Sequence, residues 1–428
     1  MPDRSKAPQV RPFGHLTLPA EEVSVLANGL TLHVLNGGTQ DVARLSIIAE
    51  GGPSDCANPC IAAFGAELLR EGCAMAGPEA IADAVDYNGA WFDSVASGHY
   101  TTLRLSSMPD KMPDLLPIMM SCFAEPTFPD GPFDIIRQKG VARQKLNLSR
   151  VSFLAAADNR RLICGASHPE SHIWSPDEIA AVNRDEIIAF HSRRLDAQLV
   201  HAYLCGRLST RLIESVAAAL GSLPANGRKS PLVVTPFRAE APATSVVSRS
   251  GSLQSAVVLS LPAIQREHPD YNALRMTVTA LGGYFGSRLM MNIREDKGYT
   301  YGISAALLGA KEGGYITISA QCDNRYTEAL IDEVRAELRR MADEPLSADE
   351  MARLRFNVAS DLASTLDSPM TMMDYYELIR SVGIPTDYFE ARQHTLASVT
   401  PETICRLSEA WLKPDELRIS IAGDLPQS

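Results

Sequence analysis

The sequence lacks any apolar run approaching the ~20 residues that a membrane-spanning helix needs. Its opening stretch, MPDRSKAPQVRPFGHLTLPAEE, has no apolar core of the kind a secretory signal carries. These two absences predict a cytoplasmic protein with no membrane partner. A basic excess is missing as well: 40 Lys and Arg against 51 Asp and Glu leave a net charge of −11. Neutralising phosphates requires a basic surface, so a general nucleic-acid binder is excluded. The eight cysteines are scattered among apolar neighbours, and Cys56-x-x-x-Cys60 has no second ligand pair behind it. A zinc knuckle is not expected, and the thiols read as reduced and mostly buried. No serine or cysteine sits in a nucleophile elbow. Gly282-Gly283-Tyr284-Phe285-Gly286-Ser287 lacks the lysine and the spacing of a phosphate loop, so its glycines are read as room for close helix packing.

What is present is ordinary globular composition, 45% hydrophobic and 21% charged, over 428 residues. That length predicts two or more domains. Val23–Leu26 and Leu30–Leu35 flank Asn28-Gly29, whose positive φ angles suit a tight hairpin turn. A strand is expected at Ala43–Ala49 and helices at Pro59–Arg70 and Pro78–Tyr87. Strands at Trp91–Ser97 and His99–Ser106 follow, then helices at Lys111–Phe123, from Phe133 past Arg150, and within Trp174–Arg194.

The segment from Val182 to Gly206 matches the segment from Val399 to Gly423 without a gap, at an offset of 217 residues (399 − 182 and 423 − 206). Ile187/Ile404, Phe190/Leu407, Leu195/Leu412 and Leu204/Ile421 pair, and each copy reads as helix, turn, and strand ending at glycine. Upstream, Ala43–Ala49 with its helix resembles Ala256–Leu261 with the helix Tyr271–Leu281. The chain therefore reads as two related halves, 1–223 and 243–428, joined by a Pro- and Lys/Arg-rich linker at 224–242. Interleaved strands and helices with a hairpin signal predict an α+β fold, each half a mostly antiparallel sheet packed with helices.

In the second half, Leu281–Ala305 runs LGGYFGSRLMMNIREDKGYTYGISA. Arg294 and Tyr301 stand seven apart across a helix-to-strand turn, and both are donors able to grip a peptide carbonyl or an oxyanion. Two α+β halves with the turn IREDKGYTYGIS in the second resemble the pitrilysin/insulinase family of zinc peptidases, which includes the mitochondrial processing peptidase and the cytochrome bc1 core subunits. In the first half, SSMPDKMPDLLPIMMSCFAEPTF and GASHPESHIWSPDEIAAVNRDEIIAFHSRRL extend the likeness over nearly the whole chain. The resemblance implies a LuxS/metallopeptidase-like sandwich fold. It also implies that Arg294 and Tyr301 contact the substrate backbone opposite a metal.

The metal site departs from the family pattern. The inverted zinc motif H-x-x-E-H binds zinc through two histidines one helical turn apart, while its glutamate activates water. Counting back from Gly72, the matching positions are Ala63, Ala66 and Glu67. The third ligand, a glutamate in a later helix, falls at Arg143 or Gln144, and an arginine repels a cation. Neither H-x-x-E-H nor H-E-x-x-H occurs among the nine histidines. His33, His99, His168 and His172 are dispersed, and Pro169 breaks any helix between the last two. Neither a catalytic residue nor a metal is expected in this chain alone.

Some members of the family split the site between two chains, one carrying zinc and the other the Arg–Tyr pair. The resemblance therefore implies a non-catalytic subunit that offers substrate-binding groups to a homologous, zinc-bearing partner acting on peptides. A homodimeric scaffold without proteolysis, or a peptide-sequestering module, is the alternative expectation.

Overall fold

A computed structural model describes residues 14–227 and 232–425. Residues 1–13 of the opening stretch, and 228–231 of the expected linker, lie outside the described residues.

The chain divides into two compact units. The first comprises Ala20–Glu240 together with Ser368–Leu378. Its elements run β1 (Glu22–Val25), β2 (Thr31–Asn36), β3 (Ala43–Glu50), α1 (Pro59–Leu68), α2 (Pro78–Tyr87), β4 (Trp91–Ser97) and β5 (Tyr100–Ser107). Then follow α3 (Met112–Ala124), α4 (Asp130–Asn147), α5 (Val151–Cys164), α6 (Pro176–Ala180), α7 (Arg184–Arg194), β6 (Val200–Gly206) and α8 (Thr210–Gly221). The Asn-Gly hairpin forms, with Val23 opposite His33, but only Gly29 takes the positive φ expected of the pair, at 86°; Asn28 does not. Two expected helices are each divided. The stretch from Phe133 past Arg150 breaks at Leu148–Arg150 between α4 and α5. Trp174–Arg194 holds α6 and α7, each opened by its own capping box, at Ser175 and at Asn183, so a second start signal ends the first helix.

The sheet order is β1-β2-β6-β3-β5-β4, antiparallel except between β2 and β6. One face carries Leu45, Ile47, Leu103 and Leu105 against Phe64, Leu68, Met119 and Ile187 of the helices. The other face carries Arg44 and Arg104, and these are covered from far along the chain. Arg44 donates to Asp374 at 2.6 Å and to the Met370 carbonyl at 3.0 Å, while Arg104 donates to Glu377 at 2.9 Å. Asp374 and Glu377, three apart on a helix, share one face, so both reach the arginines. The expected halves 1–223 and 243–428 therefore differ from the structural units at Ser368–Leu378, and also at 14–19, which belong to the second unit. The linker is pinned to the first unit: Arg238 and Glu240 donate their backbone amides to the Cys164 and Leu162 carbonyls, at 2.9 and 2.8 Å.

The second unit contains β7 (Ala243–Ser248), β8 (Gln254–Ala263), α9 (Tyr271–Gly282), β9 (Thr300–Gly309), β10 (Gly314–Asp323), α10 (Thr327–Asp343) and α11 (Ala348–Ser364). After α12 (Pro369–Ser381), whose residues through Leu378 belong to the first unit, come α13 (Tyr388–Ser398), α14 (Pro401–Trp411) and β11 (Arg418–Gly423). Its sheet order is β7-β11-β8-β10-β9, again with one parallel pair, β7 with β11. The two sheets thus share one topology: β2, β6, β3, β5 and β4 correspond to β7, β11, β8, β10 and β9. The 217-residue offset carries α7 onto α14 and Asn183 onto Thr400, and both residues cap their helices. The internal repeat read from the sequence is a repeat of fold.

Five of the eight cysteines are buried and three are partly so, all as free thiols. His191 on α7 lies edge-on to Phe128 and Phe123, at 5.4 and 6.1 Å between ring centroids. Burial pulls its pKa down to about 4, against a hydrogen bond with the Phe123 backbone that pulls up. A histidine held neutral when folded, but titrating near ~6.5 when unfolded, contributes stability above that value. That stability is lost as pH falls from ~6.5 towards the folded value. We expect His191→Phe to flatten the stability curve within this window, as measured by urea unfolding at stepped pH. An unchanged slope would exclude the role.

Candidate functional site

The first half of the expected site lies on α1. Asn58 caps this helix by accepting from the Cys60 amide at 2.9 Å, and Pro59 occupies its first turn. Ala66 is buried, whereas Ala63 and Glu67 are partly exposed on the same helix. Gly140 of α4 lies so close to Phe64 that an added Cβ would stand 2.6 Å from its ring, which brings the two helices together. Arg143 and Gln144 of α4 part company. Gln144 is buried and donates to the Trp174 carbonyl at 2.6 Å. Arg143 is exposed, and its charge reaches α1: burial pushes the Cys60 thiol up to about 11, against the pull of this guanidinium.

Two methyl groups, one carboxylate and a guanidinium that cannot lose its proton do not fit a zinc ion. Among the described residues, no cluster of three or more His, Cys, Asp and Glu is placed to hold a metal. The four histidines singled out in the sequence are engaged elsewhere: His33 with His201, His99 with Asp55, His168 with the Thr235 carbonyl, and His172 with Glu178.

The second half of the site is built around β9. α9 ends at Gly282, where an added Cβ would lie 2.7 Å from both the Cβ and the backbone nitrogen of Ala305 on β9. Glycine there lets the helix end settle on the strand. Gly282→Ala is expected to force this packing apart at a cost of about 1–3 kcal/mol, read as a lowered midpoint in thermal unfolding. An unchanged midpoint would show that the contact relaxes freely.

The chain then turns through a π-helical segment, Met290–Asp296, in which the Lys297 amide donates to the Asn292 carbonyl five residues back at 2.9 Å. Such widened turns shift the side chains that follow relative to an α-helix. Arg294 lies in this turn, its guanidinium 4.5 Å above the Phe285 ring centroid and its Nη1 2.7 Å from Glu295. Stacking on an aromatic face holds the arginine without consuming all its donors. Gly298, at φ 66°, then reverses the chain into β9 in a left-handed conformation that favours glycine.

Tyr301 follows at the start of β9, 93% exposed. Its outward aim comes from a bulge. Ile303 faces Ala320 and Thr300 faces Cys322, so Tyr301 and Gly302 together oppose Gln321. The Thr300 hydroxyl locks this bulge, donating to the Gln321 carbonyl at 2.6 Å and accepting from the Gly302 amide at 3.1 Å. No hydrogen bond joins Arg294 to Tyr301 among the described residues; each is held in place by its own surroundings. Phe285 and Thr300 were invisible as site residues in the sequence, where the T-Y-G step is the one local signal of a bulge.

Comparison with known proteins agrees with this architecture. Residues 181–358, which contain Arg294 and Tyr301, match the family described as the peptidase M16 inactive domain. The zinc protease YmxG of Bacillus subtilis, itself uncharacterized, is 19% identical over 320 residues, covering 73% of this chain and 76% of that protein. An uncharacterized zinc protease of Streptomyces coelicolor is 25% identical over 237 residues, 53% of this chain and about half (51%) of its own length. The solved M16 inactive domain from Pseudomonas fluorescens shares the fold at a TM-score of 0.84, with 23% identity over 94% of this chain and 98% of its own. A protease from Helicobacter pylori does so at 0.86, with 16% identity over 95% of this chain and 100% of its own. Residues 181–358 are thus similar to the M16 inactive domain, and over the rest of the chain the likeness to the solved structures is one of fold.

Proposed function

We propose that this protein is the non-catalytic subunit of a two-chain zinc peptidase, in which Arg294 and Tyr301 hold a peptide for a homologous partner that carries the zinc. The observation behind this reading is an asymmetry within one chain. α1 offers Ala63, Ala66 and Glu67 where a metal site needs ligands, while Arg294 is stacked, partly buried, on Phe285 and Tyr301 is held exposed by a locked bulge. A scaffold with no ligand gains nothing from an unpaired phenol on a bulged strand. In the assembled peptidase, the two groups donate hydrogen bonds to a peptide carbonyl or to the oxyanion formed from it, an interaction that strengthens as charge develops. A cytoplasmic setting belongs to the same proposal.

The test is reconstitution with a zinc-bearing homologue encoded beside this chain, followed by a peptide-cleavage assay of the complex and of its Arg294→Ala and Tyr301→Phe variants. A stable self-associated particle, inert with every such homologue, would instead identify a scaffold.

A further inference from the structure

π-Helical turns are rare, and one persists where its surroundings favour it over an α-helical turn. The turn Met290–Asp296 is laid along α10 and fastened to it by successive residues. Arg288, just before it, donates to the Arg340 and Glu344 carbonyls at the end of α10. Asn292, inside it, donates its side-chain amide to Glu333 at 3.0 Å and to Glu337 at 2.9 Å, two carboxylates one helical turn apart on α10. Lys297, just past it, reaches Glu333 at 3.0 Å. Tyr299 then stacks on Tyr326, the N-cap of α10, with 4.8 Å between ring centroids. Glu337 is buried and also takes the Arg340 guanidinium at 3.4 Å. The bond from Asn292, and after it the one from Lys297, holds the Glu333 carboxyl below its ordinary range.

We propose that Asn292 positions Arg294: its two bonds to α10 keep the turn π-helical, and the π-turn sets the guanidinium over Phe285. The proposal rests on the reading of Arg294 as a peptide-binding group, and it adds the residue that fixes where that group stands. The turn closes on Asn292 itself, whose carbonyl accepts the Lys297 amide at 2.9 Å. α-Helical pairing would send that amide to the Ile293 carbonyl, which already accepts the Tyr299 amide at 3.0 Å. A switch to that pairing takes one residue out of the turn, and Arg294 moves relative to both α10 and Phe285. Asn292 suits the clamp because its amide has two hydrogens and no charge, so one side chain serves two carboxylates. Asn292 acts through the turn and not on the peptide. It is a positioning residue, and Arg294 remains the group that donates.

The experiment follows the Arg294 Nε–H resonance by NMR in the full chain, labelled with nitrogen-15 in its arginines. Stacking on Phe285 shifts this proton upfield; Arg294→Ala identifies the resonance by its loss, and Phe285→Leu marks its unshifted position. Asn292→Asp keeps the shape of the side chain but removes both hydrogens. It also sets a third carboxylate beside Glu333 and Glu337, with Lys297 and Arg340 the cations in contact with them. At about pH 8 the resonance is expected to move to its Phe285→Leu position, and kcat/KM of the reconstituted peptidase to fall about 10²-fold, the cost of a misplaced group. Repulsion raises the pKa of the introduced carboxyl above its usual ~3.9, so by about pH 5 it regains a donor and the resonance is expected to return. If the aspartate variant does not fold, Asn292→Ser is read in its place. It adds no charge and is too short to reach both carboxylates, so the same displacement is expected. A resonance unmoved in the folded variant, or in Asn292→Asp one displaced equally at both pH values, would overturn the proposal. If the resonance moves but kcat/KM stays at the parent value, the positioning stands and the Arg–Tyr reading fails. If Arg294→Ala lowers kcat/KM while Asn292→Asp moves neither rate nor resonance, that reading stands and the positioning fails.

Discussion

In the reconstituted two-chain peptidase, Arg294→Ala is expected to lower kcat/KM by about 10²–10³, the loss typical of removing one donor from an oxyanion site. Tyr301→Phe removes a single hydroxyl and is expected to fall at the lower end of that range. Neither change should alter the fold. Tyr301 is 93% exposed, and Arg294 leans on Phe285 at the surface rather than filling a core. The melting temperature of each isolated variant should stay close to that of the parent, which separates loss of function from loss of structure. Loss confined to kcat would place the donors at the transition state, whereas loss confined to KM would place them on the ground-state peptide. Full activity in both variants would end the proposed role.

Arg288→Ala is expected to have the largest effect on stability, about 3–5 kcal/mol, because it strips one partner from a buried ion pair. The Arg288 side chain is 5% exposed. Its Nε donates to Glu350 at 2.9 Å, and its terminal nitrogens donate to the Arg340 and Glu344 carbonyls at 3.0 and 3.1 Å. It thereby reinforces the end of α10, where the Arg340 carbonyl also accepts the Glu344 amide at 2.9 Å and the Glu344 carbonyl lies past the last helical bond. Without it, the Glu350 carboxylate and the Glu344 carbonyl lose the guanidinium's bonds together, while the Arg340 carbonyl keeps the Glu344 amide. Urea unfolding measures the cost, and a loss below ~1 kcal/mol would show that water replaces the guanidinium.

The same pair gives a dependence on acid. Burial raises the Glu350 pKa, but the bonds from Arg288 and Ser347 outweigh it and hold the carboxyl down at about 2. A carboxylate lowered on folding adds stability that is complete above its unfolded value of ~4.3. That stability is lost as pH falls from there through the folded value. Arg288→Ala should make this acid slope shallower as it lowers the stability, leaving the part that the Ser347 bonds supply.

Much of the fold was legible because its signals are local. Gly29 shapes the hairpin through a φ of 86° that few other residues adopt. Ser175 and Asn183 start their helices by satisfying amides within three residues. The repeat was visible because both halves must bury the same face of helix and strand, from Ile187 and Ile404 to Leu204 and Ile421. The loss of zinc chemistry was legible for a simpler reason: alanine at positions 63 and 66 has no ligand atom in any conformation.

The Arg294–Tyr301 stretch shows the division most clearly. By itself the sequence determined which donors exist, their seven-residue spacing, the glycines on either side, and the absence of metal ligands on α1. Only the tertiary structure decided that Tyr301 points outward, because the bulge depends on which β10 residues face Thr300 and Ile303. The placing of Arg294 over Phe285 by a widened turn, and the covering of Arg44 and Arg104 by Asp374 and Glu377, were decided the same way. Turns and caps are set by a few neighbouring residues. Ladder register, edge exposure and buried ion pairs are set by partners tens to hundreds of residues away, and no local pattern carries them.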